Sequence, residues 1–190
     1  MKPFPPLTSS LIALSIAASV PLMIGMDGLV VPLLIGNPDS AFFADVARGE
    51  AWRLVTPIFI HFGILHVLFN MMWLWDLGGL LERLKGPVFL GAFVVASGVA
   101  SNLAQYGVTH SPLFGGMSGV VYALLGYVWM QGRRNPRFGF SLHQSTVVMM
   151  LGWYVLCWTG LLGPIANWAH TAGLALGVAW GFFDRGAPRV

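Results

Sequence analysis

Apolar residues in this chain gather in long unbroken blocks, without the two-residue alternation of a half-buried strand. Six such blocks stand out, Leu7 to Met26, Ile64 to Leu81, Val88 to Tyr106, Ser118 to Met130, Thr146 to Leu162 and Ile165 to Phe183. Each is predicted to be a helix that crosses a bilayer, giving an all-α membrane bundle over residues 1–190 as a single domain. The fourth block is the exception in length. From Ser118 to Gln131 a helix rises only ~21 Å, whereas the hydrocarbon core is ~30 Å thick. A short fourth helix is expected to start below one membrane surface, so that the loop before it, Gly107 to Met117, dips into the bilayer. Irregular backbone at that depth is tolerated only where it is buried in protein or lines a watery cavity.

Composition agrees with a membrane protein. Hydrophobic residues are 56% of the chain and charged residues 9%, far below the usual quarter, and the mean hydropathy is +0.74. Lys2, the apolar run and Ala17-Ala18-Ser19 resemble a signal peptide, but apolar residues continue through Ile24, which favours a retained anchor. The net charge is only +3, and no basic run points to nucleic acid. The distribution of charge is more telling. If the N-terminus is cytoplasmic, the inner face holds Lys2, Arg83, Lys85, Arg133, Arg134, Arg137, Arg185 and Arg189, and the outer face holds only Arg48 and Arg53. That asymmetry follows the positive-inside rule and places both termini inside. The single cysteine, Cys157, precludes an intrachain disulfide.

Between the first two spans, Gly36 to Gly63 mixes Asp39, Asp45, Arg48, Glu50 and Arg53 with Phe42, Phe43, Trp52, Phe59 and Phe62. It is expected to be a partly helical structure in the outer leaflet that braces the bundle.

Polar side chains within spans are expensive and mark function. His66 and Asn70 share one face of helix 2, Ser118 opens helix 4 and His170 lies near the start of helix 6. In this topology all three helices run inward, so the four residues sit at similar depth, roughly 3 to 10 Å below the outer ends. Ser118 is a candidate nucleophile and His170 the base that takes its proton. An oxyanion formed in amide hydrolysis needs donors. Asn70, His66 and the Ser118 backbone N–H, free at a helix start, can supply them. Gly115, Gly116 and Gly119 allow close approach of substrate. No carboxylate stands where it could orient His170, so a dyad is expected; Asp76 lies deeper and on another face, and is read as the partner of some polar neighbour. Gly173 and Gly177 give helix 6 a small-residue face that Gly119, Ala123 and Gly126 of helix 4 can meet, with Tyr122 packing under the imidazole. Each residue alone has a plainer reading. G-x-S-G is commonly a packing motif, Asn70 could be interhelical glue, and His61 structural or a carrier of protons or water. Four such residues at one depth are harder to explain that way.

The combination resembles the rhomboid family of intramembrane serine proteases, bacterial six-helix type, from Trp52-Arg53 to the end of helix 6. The likeness rests on His61-x4-His66-x3-Asn70, Gly78-Gly79-x2-Glu82, Gly115-Gly116-Met117-Ser118-Gly119-x2-Tyr122 and Ala169-His170-x2-Gly173-x3-Gly177. It implies Ser118 as nucleophile, His170 as base, and His66, Asn70 and the Ser118 backbone as oxyanion hole. It also implies that helix 5, around Trp153, flanks the substrate entrance. The implied substrates are single-pass membrane proteins cut within or near a transmembrane helix, and no cofactor or metal is implied. The implied location is the bacterial inner membrane, with the active site open to the outer side. Two departures from the family pattern stand out. With only Met1 to Pro6 before helix 1, recruitment through a preceding cytoplasmic domain is not expected, and Asp76 stands where an uncharged or aromatic residue is anticipated. Two other classes compete: a non-catalytic relative that binds transmembrane helices in chaperoning or quality control, expected to lack Ser118 or His170, and a haem protein using His66 and His170 as axial ligands.

Overall fold

The computed structural model describes residues 5–186, so Lys2 and Arg189 of the charge argument lie outside the described residues. The described residues form helices α1 (Pro6–Met23), α2 (Ile64–Lys85), α3 (Pro87–Thr109), α4 (Ser118–Arg134), α5 (Gln144–Cys157) and α6 (Asn167–Phe183), with no strand among them. α1, α2 and α3 are long and apolar enough to cross a membrane.

Local chemistry sets most helix ends. Pro6 and Pro87 occupy the first turns of α1 and α3, where a missing N–H costs nothing. Gly86, at φ +88°, terminates α2 and lets α3 begin at the next residue. α4 runs one turn further than the sequence predicts. Arg133 and Arg134 stand in its last turn and complement the negative end of the helix dipole. Its length is therefore ~26 Å instead of ~21 Å. α5 is the shorter helix, ending at Cys157 where the sequence predicts continuation to Leu162. Beyond it Gly160 and Gly163 both adopt positive φ.

α4 is the central post. Every residue from Gly119 to Val128 is buried, as befits a helix that is apolar all round. Leu74, Leu77 and Leu81 of α2, Phe93 and Val94 of α3, and Phe138 pack with it in one core. α4 and α6 share the most extensive helix–helix interface. Backbone approaches backbone there: a methyl group on Gly126 would stand 2.7 Å from the Val178 nitrogen and 2.8 Å from the Leu174 carbonyl oxygen.

One end of the bundle is tied by polar groups. The Glu82 carboxylate accepts from the backbone nitrogens of Leu7 and Thr8 at 2.9 and 2.7 Å and from Thr8 Oγ1 at 2.7 Å. It thus caps α1 from the end of α2, satisfying donors that the first helical turn leaves unpaired. Lys85 pairs with Asp184 at 3.0 Å, and Gln131 Nε2 donates to the carbonyls of Gly181 and Asp184, both at 2.7 Å. Burial pushes the Asp184 carboxyl up, but the Tyr127 hydroxyl, the Gly186 N–H and Lys85 together hold it below its ordinary value. The N-terminus of α1 and the C-termini of α2, α4 and α6 consequently share this end.

At the other end, the segment Gly36 to Gly63 is partly helical as expected, with 3-10 turns at Ala51–Leu54 and Thr56–Phe59 and one α-turn at Ala44–Ala47, and a 3-10 turn at Asp27–Leu33 that the sequence reading did not include extends the same brace. Arg53 holds it together by donating to the carbonyls of Val31 and Leu34 at 2.7 and 2.9 Å. Asp45 accepts from Asn37 N and Ser40 Oγ and pairs with Arg48. Phe42 and Phe43 pack on Tyr106, and Asn102 Nδ2 donates to Leu54 O at 2.9 Å. Both contacts fasten the brace to α3.

Candidate active site

The loop before α4 is pinned residue by residue. Gly115 packs so tightly that a methyl group would stand 2.8 Å from the Ile60 carbonyl oxygen and 2.9 Å from that of Pro57. Gly116 donates its N–H to Pro57 O at 3.0 Å. Its φ of +120° strongly favours glycine, and a methyl group there would stand 2.7 Å from His66 Cε1. Met117 N donates to His61 Nε2 at 3.2 Å. His61 Nε2 is thereby an acceptor and Nδ1 carries the proton, facing Ser19 Oγ and Phe59 O at 3.2 Å. This buried histidine holds the turn that leads directly into Ser118.

Ser118 opens α4 half-buried, with its Oγ 2.8 Å from His170 Nε2. Its backbone N–H lies in the first turn of α4, where donors have no partner within the helix. The His170 ring is buried and packs against Tyr122 in a tilted arrangement, with ring centroids 4.8 Å apart. No group among the described residues reaches His170 Nδ1, so Ser118 and His170 form a pair without a third member. No cluster of three or more metal-ligating side chains occurs among the described residues.

α6 is held in place by α3. Gln105 Oε1 accepts from the backbone nitrogens of Trp168 and Ala169 at 3.1 and 3.3 Å, capping the helix one residue before His170. Gly173 faces the Gly119 carbonyl and Gly177 the Ala123 carbonyl, with no room for a Cβ at either. Ser101 fits into the same junction, 2.6 Å from where a methyl group on Gly119 would be. Gln105 and Ser101 escaped sequence reasoning, although both are polar residues inside a predicted span, the signal that singled out Asn70.

His66 and Asn70 lie one turn apart on α2. The His66 ring abuts Gly116 and lies 5.0 Å from that of His61. The buried Asn70 donates through Nδ2 to His66 O at 2.8 Å, which orients the amide and leaves its second N–H for a ligand. Trp153 is 51% exposed on α5 and touches α2 through Phe69, with ring centroids 6.3 Å apart. α5 is also fastened to α4, where Tyr122 Oη donates to Met150 O at 3.3 Å, and to α6, where Tyr154 Oη lies 2.8 Å from Thr171 Oγ1. Among the described residues, Asp76 does not find the polar neighbour expected of it. It is exposed, in a π-helical turn over Leu74–Gly78 that keeps Leu74, Leu77 and Gly78 buried.

The Rhomboid domain family model matches residues 48–187. The chain is 43% identical over 143 residues to the Rhomboid protease GlpG of Salmonella paratyphi A, covering 75% of this chain and 51% of that protein. It is 44% identical over 136 residues to the Rhomboid protease GlpG of Klebsiella pneumoniae subsp. pneumoniae, covering 71% and 49%. The chain thus spans about half the length of the curated relatives it matches.

Proposed function

The chain belongs to the rhomboid family, and from that premise we propose that it is an intramembrane serine endopeptidase cutting single-pass membrane proteins within or near their transmembrane helix. The observation that carries the reading is the 2.8 Å approach of Ser118 Oγ to His170 Nε2 at the start of a central buried helix. In this mechanism Ser118 Oγ attacks the scissile carbonyl carbon while its proton passes to His170 Nε2. The oxyanion is received by the Ser118 N–H, the free Asn70 N–H and His66. Collapse breaks the C–N bond, and His170 returns the proton to the departing amine. Water, activated by the same imidazole, then hydrolyses the acyl-serine.

In this reading α1 to α6 are six spans of one domain over residues 1–190. The end that carries Arg83, Lys85, Arg133, Arg134, Arg137 and Arg185 faces the cytoplasm. The site opens to the outer side of a bacterial inner membrane, and substrate helices enter from lipid between α2 and α5. The experiment is incubation of purified protein with a panel of tagged transmembrane substrates. Cleavage is expected from the wild type, unchanged by chelators and lost in Ser118→Ala and in His170→Ala. Undiminished cleavage by Ser118→Ala would sink the assignment.

A further inference from the structure

Asp76 is the one acidic residue in the first two-thirds of α2, and it points away from the core. An ionisable side chain on the lipid side of a span is costly and calls for a partner, yet among the described residues its carboxyl group takes part in no hydrogen bond or ion pair. The turn that presents it is π-helical, a feature that appears often at functional sites. Its place on the helix says where a partner would come from. Leu65, Phe69, Met72 and Asp76 are all exposed and recur at spacings of four, three and four, which puts them on one stripe. Phe69 on that stripe touches Trp153 of α5. Inward of Trp153, α5 offers Met149, also exposed. The stripe is therefore the α2 side of the seam between α2 and α5, and Asp76 lies about two turns further in than the Phe69–Trp153 contact.

We propose that Asp76 is a specificity-determining residue, its carboxyl group meeting a basic side chain in the inward half of a substrate's transmembrane segment as that segment lies along the seam. This rests on the protease reading above. Along α2, Asp76 is ~9 Å inward of Asn70 and ~15 Å inward of His66. A helical substrate descending from the site reaches it about six to ten residues on the inward side of the scissile bond. Leucine there would leave the carboxyl group facing apolar atoms, whereas lysine or arginine gives both groups a charge-assisted hydrogen bond. Discrimination of about tenfold in kcat/KM is the scale expected for one such bond.

The test uses two otherwise identical substrates carrying Lys or Leu at the facing position, taken in turn from six to ten residues inward. Wild-type protein is expected to favour the Lys substrate at one register by about tenfold. That ratio should collapse towards one in Asp76→Leu, and Asp76→Lys should instead favour a substrate with Glu at the same register. A ratio that is one at every register in the wild type, or unchanged in Asp76→Leu, overturns the proposal. A second arm needs no turnover: Asp76→Cys, in a Ser118→Ala and Cys157→Ser background, is oxidised in liposomes with substrates bearing one cysteine at those registers. A disulfide to substrate is expected. Its absence while Trp153→Cys does cross-link, or a disulfide only between two copies of Asp76→Cys, rejects the placement. If the wild type cuts neither substrate yet the cross-link forms, the protease reading has failed and the docking of Asp76 stands.

Discussion

Gly173 lies against the carbonyl oxygen of Gly119 with no space for a single additional carbon. This contact, repeated one turn on by Gly177 and Ala123, brings the ends of α4 and α6 close enough for a hydrogen bond from serine to histidine. Because the obstacle is backbone rather than a pliant side chain, enlargement cannot be absorbed locally. Gly173→Leu should drive the helices apart and abolish cleavage, and Gly173→Ala should destabilise the protein by about 1–3 kcal/mol or more. Gly152 on α5 has nothing within 4 Å of a built Cβ, so Gly152→Ala should be silent. Thermal unfolding in detergent together with a cleavage assay separates these cases, and full activity in Gly173→Leu would refute the close contact.

The two polar residues of α2 call for different readouts from the glycines. Asn70 is oriented by its bond to His66 O and can serve a developing oxyanion with its remaining N–H. Asn70→Ala should lower turnover by up to ~10²-fold, the lower end for one lost donor, with less effect on KM. A rise in KM at constant kcat would make Asn70 a binding residue instead.

Some of this arrangement was legible in the sequence and some was not, for physical reasons. Glycines spaced four apart advertise close helix approach wherever they occur, so the meeting of Gly173 and Gly177 with α4 followed from helical periodicity. Helix order and rise per residue put Ser118 and His170 at one level, and these two do meet, while His66 lies against Gly116. Glu82 capping α1, Gln105 capping α6 and His61 accepting from Met117 bridge 74, 63 and 56 residues of chain, and no local rule encodes such partners. The end of α4 was misjudged because a stop in hydrophobicity was taken for a stop in helix. Arg133 and Arg134 are polar yet suit the helix C-terminus. Asp76 was assigned a polar neighbour because charges inside spans are costly and usually paired, a rule that does not tell an inward-facing carboxyl group from the exposed one found here.

The brace at the end of the bundle opposite Glu82 should respond to acid. The Asn37 N–H, with Ser40 and the arginines Arg48 and Arg53, holds the Asp45 carboxyl below its ordinary value against the opposing effect of burial. A carboxylate with a depressed folded-state pKa stabilises fully above its unfolded value, about 3.9, and that contribution is lost as pH falls through the folded value. Asp45→Asn should therefore melt lower than the wild type at pH 7. The gap should narrow only below roughly pH 4. A gap independent of pH down to acid would mean that Asp45 acts through packing alone.

The last prediction concerns how a reaction that consumes water proceeds at a site buried among apolar helices. Ser118 is only half-buried although the ten residues after it are buried, so solvent must approach it from the side of the loop and not along the helix. His66, on that side, also lines an open cleft together with Asp27, Phe62 and Leu113. In the proposed topology this is the outer side. A cysteine at Ser118, in a Cys157→Ser background, should react with a small membrane-impermeant thiol reagent added outside sealed vesicles of native orientation. In inverted vesicles the same reagent should leave it unlabelled. Labelling from the cytoplasmic side alone would reverse the topology. Entry of substrate makes a separate demand on the lipid side. Trp153 meets α2 through an aromatic contact with Phe69, worth on the order of 1 kcal/mol, and α5 is tethered elsewhere to α4 through Tyr122 and Met150 and to α6 through Tyr154 and Thr171. Removing that one contact should open the seam without loosening the bundle. Trp153→Ala is therefore expected to preserve or raise the cleavage rate by up to about fivefold, with an unchanged melting temperature. A drop in rate at constant melting temperature would show that Trp153 holds substrate and does not gate it.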